Sequence, residues 1–419
     1  MVPLLVEVTG RGARRVRSPP MVKRKSSPRH GHSGDPRKRA EEQARAQAEA
    51  APALEEEVAT ALESGHPIDI VMLASALIAG LDPDLRAPEE DLPSLGGFVR
   101  MFLESRDTRL HALAWTVSRL LPETGPSGTS PSETNLRDEV DAVIALGTVP
   151  DWLLQLDRPE VTEAWQTTDP LRDSTDVVVS VRVGDADLTA IALVDFNADG
   201  ALKDGFVVPA PLTAVQEALS ASGETGMEAW ALEPADAAAW LTDGIRIGRA
   251  TEPPFESDSW PQARPLLEWV ARLCPAGGHG WSRPTWPRAD IASLVAEFAA
   301  SPTGAVVAAP TAQEVLVDAL DALAEETDGD PRLLSAVRLE IGLGYLWSTR
   351  LHHDLDQLTT LPDLLGPFLR WTHAQRGVPA DDTDEALAAI AHHRAAYVRD
   401  VLEVNADEDA DDAESLSQA

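Results

Sequence analysis

Apolar residues between 107 and 121 fall at Leu110, Leu113, Ala114, Val117, Leu120 and Leu121, the threes and fours of a single helix face. The same period runs through 53–123 and is broken only at Gly65-His66-Pro67, Asp82-Pro83 and Gly96-Gly97, which predicts a run of helices. After another short helix at about 135–146 the period drops to two. DVVVSVRV (176–183) and LTAIALVDF (188–196), separated by the polar turn Gly184–Asp187, read as antiparallel strands, with a third near 205–208 and a fourth at 227–232. Helices are expected between them at 211–221 and 235–243. Beyond Pro253-Pro254 the helical period returns at about 260–273, 288–300, 311–325, 331–351, 362–375 and 383–403. The fold class is therefore α+β and mostly helical: N-terminal helices, a small antiparallel β-meander in the middle, and a larger helical C-terminal region.

Punctuation divides the chain further. TGPSGTSPSE at 124–133 has linker composition. The expected organisation is a disordered basic arm (1–34), a helical region (35–123), a linker (124–134), an α+β region with the hairpin (135–252), a helical region (253–404) and a disordered acidic tail (405–419). Asp35-Pro36 supplies a cap and a first-turn proline for a polar helix over 37–50, and Met21 offers an alternative start.

Charge sharpens this division. Residues 1–40 hold 11 Lys and Arg against Glu7 and Asp35, a net +9, while residues 41–419 carry −43 of the chain's total of −34. Such asymmetry speaks to partners and solubility and names no chemistry. With 43% hydrophobic residues and 11 Trp, the chain can bury a sizeable core. Only four Lys occur (Lys23, Lys25, Lys38 and Lys203) against 31 Arg, which together with abundant Ala, Pro and Asp suits a high-GC genome, and the acidity also suits a halophile. Cys274 stands alone, so no internal disulfide forms, and MVPLLVEV is followed rather than preceded by basic residues, unlike a signal peptide. The longest apolar stretch, Ile68–Leu81, contains Asp69 and is too short to span a membrane. A cytoplasmic protein with no membrane partner is the expectation.

Each candidate site has an ordinary structural reading beside it. Asp195, Asn197, Asp199 and Gly200 match the opening of a calcium loop, but Lys203 and Phe206 stand where later ligands belong and the flanks are strands, so a turn accounts for them. His353-Asp354, within HHDLD, resembles the metal-binding pair of HD-type phosphohydrolases, with His279 and Asp384 or Asp400 as further nominees that no spacing selects. His352 and Asp356 share a helix face, whereas the adjacent His392 and His393 diverge by about 100°. Gly277, Gly278, His279, Gly280 and Trp281 read as a loop after a helix end, Gly342 and Gly344 lack a third glycine for a dinucleotide motif, and Cys274 reads as core. No catalytic, cofactor-binding or metal residue is assigned, and no cofactor is expected.

The basic arm offers three partners: nucleic acid bound weakly and without sequence preference, an unknown protein partner, or its own acidic body by self-docking. It lacks the interleaved aromatics of a stacking platform. GHSGDPRKRAEEQ (31–43), LVDFNADGALKDGF (193–206) and FLRWTHAQRGVPADDTDEALAAI (368–390) resemble segments of a family of uncharacterised proteins from high-GC actinobacteria, across residues 21–404. The resemblance implies a bacterial cytoplasmic protein and brings no activity or site residues. The expected function is that of a non-catalytic intracellular interaction or regulatory protein, with a metal-dependent hydrolase around His353-Asp354 as the alternative.

Overall fold

The computed structural model describes residues 53–82, 94–122, 136–145, 147–221, 227–251, 257 and 259–417, with the side chains of 219–221 and 405–417 excepted. The expected arm, the polar helix over 37–50 and the 124–134 linker lie outside these residues. The described residues begin with helix α1 (53–63), followed by α2 (Pro67–Gly80), α3 (Leu95–Glu104), α4 (Thr108–Leu120) and α5 (Leu136–Ile144). Polar caps set their starts: His66 Nδ1 accepts the Ile68 amide, Ser94 Oγ the Gly97 amide, and Asp107 Oδ1 the Arg109 amide.

Five strands follow, interrupted by one helix: β1 (Glu160–Thr168), β2 (Ser174–Val183), β3 (Ala186–Asp195), β4 (Ala201–Val208), α6 (Leu212–Ala221) and β5 (Glu228–Leu232). All pairs are antiparallel, in the order β4-β3-β2-β1-β5. The meander is as the alternating pattern predicts, but β1 was not anticipated. Its sequence EVTEAWQTT shows no apolar alternation, and Gln166, Thr167 and Thr168 are nevertheless buried. Their burial comes from β2 on one side and β5 on the other, a tertiary environment that overrides weak local preference.

One face of the sheet carries Val177, Val179, Val181, Ala190, Ala192 and Val194 into a core shared with the N-terminal helices and with α7 (Pro234–Ala250) and α8 (Trp260–Leu273). The opposite face closes a smaller cluster in which Val178 and Ile191 meet Leu212 and Val215 of α6. Because α7 and α8 share one core with α2, where Ser75 Oγ donates to the Gln262 carbonyl at 2.5 Å, the expected division at 252/253 does not separate two cores. The strap 275–287 leads from this core to the second one, with Trp281 packed on the first and Trp286 on the second.

Beyond the strap lie α9 (Arg288–Ala299), α10 (Pro310–Glu326), α11 (Ala336–Ile341), a π-turn at Gly342–Leu346, α12 (Trp347–Arg350), α13 (Leu355–Leu358), α14 (Leu361–Arg376) and α15 (Ala380–Ser417), around a second core. The single helix expected over 331–351 is thus shortened at its start, where Ser335 Oγ caps α11 by accepting the Arg338 amide, and broken by the π-turn. At Gly342 a Cβ would meet the Trp347 ring at 2.6 Å, so the turn brings the backbone against the indole. The backbone of α15 stays helical through Ser417, where a disordered tail from 405 was expected. No Gly or Pro stops it between 401 and 417, and Ala and Glu favour continuation. On this helix Tyr397 and Val401 are buried, whereas Leu402 is exposed.

Among the described residues, the Tyr397 hydroxyl has no hydrogen-bond partner, and burial drives its pKa upward. Tyr397→Phe should therefore stabilise the chain by about 1 kcal/mol, since it removes an unsatisfied buried group without opening a cavity. Thermal unfolding measures this. A lower melting temperature for the variant would show that the hydroxyl is paired.

Candidate functional site

The two cores meet at a polar junction. Asp169, at the end of β1, accepts the amides of Leu171 (2.8 Å), Asp173 (3.1 Å) and Ser174 (3.2 Å), curling the β1–β2 turn so that Arg172 adopts a left-handed φ of 55°. The Arg172 carbonyl then faces Arg338 of α11, whose side chain is only 1% exposed. From Arg338, Nε donates to Asn197 Oδ1 at 3.0 Å, Nη1 to the Leu333 carbonyl at 2.5 Å and Nη2 to the Arg172 carbonyl at 2.6 Å, with Asp328 Oδ1 3.2 Å from Nη2. Asp173 Oδ1 accepts from Asn197 Nδ2 (2.9 Å) and Ser335 Oγ (2.7 Å). One guanidinium therefore ties both turns at this end of the sheet to the C-terminal helices.

Burial governs the electrostatics here. It lifts the Asp169 carboxyl to about 6, helped by the neighbouring Asp173 charge and opposed by the backbone amides. It also lifts Asp328 above the ordinary carboxylate range in spite of the Arg338 guanidinium. Across the junction, His373 is depressed to about 4 by burial, with Nδ1 3.0 Å from Thr383 Oγ1. Burial works to raise Asp330, but the Arg332 side chain and amide hold it below its usual value. Asp169 is satisfied by the amides of its own turn and Asp330 by Arg332, whereas His373 Nε2 has no hydrogen-bond partner among the described residues. The arrangement ties the two cores together.

The residues singled out by sequence serve this architecture. Asp195 accepts the Asn197 amide at 2.7 Å and pairs with Lys203, while Asp199 (φ 58°) pairs with Arg283 of the strap. These positions make the turn, as the strand flanks predict. Gly200 lies against Trp281, which stacks on Phe196 with centroids 5.3 Å apart and planes at 16°. The glycine loop 277–280 lets the strap cross α7 closely: a Cβ on Gly278 would sit 1.9 Å from the Ala235 carbonyl oxygen, and the His279 amide donates to Asp236. Cys274 is buried, its thiol pushed up to about 11, and it donates to the Val270 carbonyl.

His353 Nε2 lies 2.7 Å from Asp318 Oδ2, and Asp318 also pairs with Arg288. His352, His353, Asp354 and Gln357 line a polar cleft of about 410 Å³. Among the described residues, no three His, Cys, Asp or Glu side chains converge so as to hold a metal ion, at this cleft or elsewhere. His392 and His393 meet edge to face, 4.8 Å apart, on α15.

The surface feature that sequence did not single out is the sheet edge. At the opposite edge, α7 and α8 press on β4: a Cβ on Gly248 would lie 2.9 Å from the Leu202 carbonyl oxygen, and one on Gly205 2.5 Å from Leu267. Among the described residues β5 pairs with β1 alone, and its residues Glu228, Ala229, Trp230 and Ala231 are all exposed. Trp230 is 39% and Met227, just before the strand, 38% exposed, large apolar side chains at a sheet edge. Glu228 and Glu233 bracket the tryptophan in sequence, and Glu163 of β1, next to the Ala164–Leu232 pair, is also exposed. The sequence marks a strand at 227–232, but its place at the edge depends on the unanticipated β1.

Among the described residues, no helix is long and apolar enough to cross a membrane. No family model matches the chain, and comparison with curated proteins and with solved structures gives no match either.

Proposed function

We propose that this chain is a non-catalytic interaction protein that docks an extended, basic segment of a partner protein along β5. The observation that carries this reading is the strand itself, exposed over four of its five residues in a sheet whose other edge is packed under helices. An added strand would satisfy the backbone groups that an edge leaves to water, while Trp230 provides an apolar anchor. The bracketing glutamates select Lys and Arg in the incoming strand and disfavour acidic ones. Residues 1–40 of the chain, at net +9, are a basic segment of the same kind, so the arm competes with the partner for the edge. A bacterial cytoplasmic setting goes with this reading, consistent with the resemblance to actinobacterial sequences and with a single, buried cysteine.

A fluorescently labelled peptide of residues 4–17 (LLVEVTGRGARRVR) is a suitable probe, since it joins a β-favouring run to four Arg. Anisotropy titration should give saturable binding that weakens about tenfold in Trp230→Ala. The charge reversal Glu228→Lys with Glu233→Lys should weaken it comparably, and deletion of residues 1–39 should strengthen it. Equal binding by the parent chain and both edge variants would sink the proposal.

A further inference from the structure

The hydrogen bonds around the polar cleft beside His353 leave it lined with acceptors. Ser348 and Thr349 of α12, His353 and Asp354 of the loop that follows, Leu358 of α13 and Val404 of α15 stand around a volume of about 410 Å³, within the range of small-molecule sites. The Ser348 hydroxyl donates to the Tyr345 carbonyl at 3.3 Å, and Thr349 Oγ1 donates to the carbonyls of Tyr345 (2.8 Å) and Leu346 (3.2 Å). A hydroxyl has one proton, so each of these oxygens keeps only lone pairs for a ligand.

His353 is fixed in the same sense. Asp318, a carboxylate already paired with Arg288, has only acceptors to offer it, so in the neutral ring the proton sits on Nε2, 2.7 Å from Asp318 Oδ2, and Nδ1 is left as an acceptor. Among the described residues Nδ1 has no hydrogen-bond partner, and neither has the Asp354 carboxylate. Gln357 and His352 can each present a donor or an acceptor, so among the described side chains lining the cleft none is fixed as a donor. The sequence that continues from Val404, NADEDADDAESLS, contains no Lys or Arg.

We infer that this cleft binds a small organic ammonium ion, its N–H groups donated to His353 Nδ1, to the Asp354 carboxylate and to a hydroxyl oxygen of Ser348 or Thr349, and its methylenes laid against Leu358 and Val404. A primary ammonium brings three donors and no acceptor, the complement of such a lining. Any cation is drawn to an acidic chain, so the mark of this site is its demand for N–H donors and not for positive charge alone. The site lies among the C-terminal helices, apart from β5, and does not depend on the docking proposed there.

Isothermal titration of the full chain with hexylammonium, at physiological salt and about pH 8, where imidazoles are ordinarily neutral and alkylamines protonated, tests the inference. One-to-one binding is expected. Hexyltrimethylammonium, which keeps the charge and the chain but has no N–H, should bind at least about tenfold more weakly, and so should hexanol, which has a single donor and no charge. Asp354→Asn and His353→Leu should each weaken hexylammonium binding about tenfold. Asp354 is exposed, so circular dichroism of its variant should match that of the parent. Equal affinity for the two ammonium ions, no saturable binding of hexylammonium, or binding unaffected by both substitutions would overturn the inference.

Discussion

Arg338→Met is expected to destabilise the chain by about 3–5 kcal/mol, the range found when one partner of a buried ion pair is removed. The loss comes less from the attraction removed than from what stays behind. Asp328, itself 4% exposed at its side chain, would keep a carboxylate with its guanidinium gone, and the Arg172 carbonyl would lose the Arg338 donor, while the Leu333 carbonyl would keep only the Ser335 amide. Adding Asp328→Asn should recover part of the loss, because the stranded charge disappears while the Arg172 carbonyl still lacks the Arg338 donor. Denaturant unfolding of the single and double variants measures both effects. A cost below about 1 kcal/mol for Arg338→Met would show that the junction does not couple the two cores.

The second large effect is a pair of opposed pH dependences. Asp169 has a folded pKa of about 6, above its unfolded value near 3.9, so its contribution is fully present below pH 3.9 and is lost as pH rises through 6. His373 has a folded pKa of about 4, below its unfolded value near 6.5, so its contribution is fully present above pH 6.5 and is lost as pH falls through 4. Each amounts to about 3 kcal/mol, and between pH 4 and 6 they nearly cancel. Single substitutions separate them. From pH 7 to pH 4, the stability of the parent relative to Asp169→Asn should rise by about 3 kcal/mol, and relative to His373→Gln it should fall by a similar amount. Differences of the same sign, or none, would contradict the burial that shifts these groups.

What the sequence makes legible here is what local periodicity controls. The spacing over 107–121 and the run at 260–273 lead to α4 and α8, and the alternation in 176–196 leads to β2 and β3, because each pattern buries one face of a regular element. β1 escapes this logic, since its buried Gln166, Thr167 and Thr168 become interior only when β2 and β5 flank them. The π-turn at Gly342–Leu346 likewise answers to the packing of Trp347 and not to any stop signal. The junction joins Arg338 to Arg172 and Asn197, more than 140 residues away in sequence, so no spacing reveals it. The closely set Asp and Arg of TDPLRDS and TDGDPR were the one available trace. The free edge of β5 is a property of strand order, which alternation does not encode.

Hydrogen exchange over Glu228–Leu232 tests the docking reading most directly. With the residue 4–17 peptide at saturation, amide exchange in β5 should slow by at least about tenfold while exchange in β4 stays the same, because an added strand protects only the edge it joins. Peptide binding with β5 exchange unchanged, or with protection confined to another surface, would contradict it.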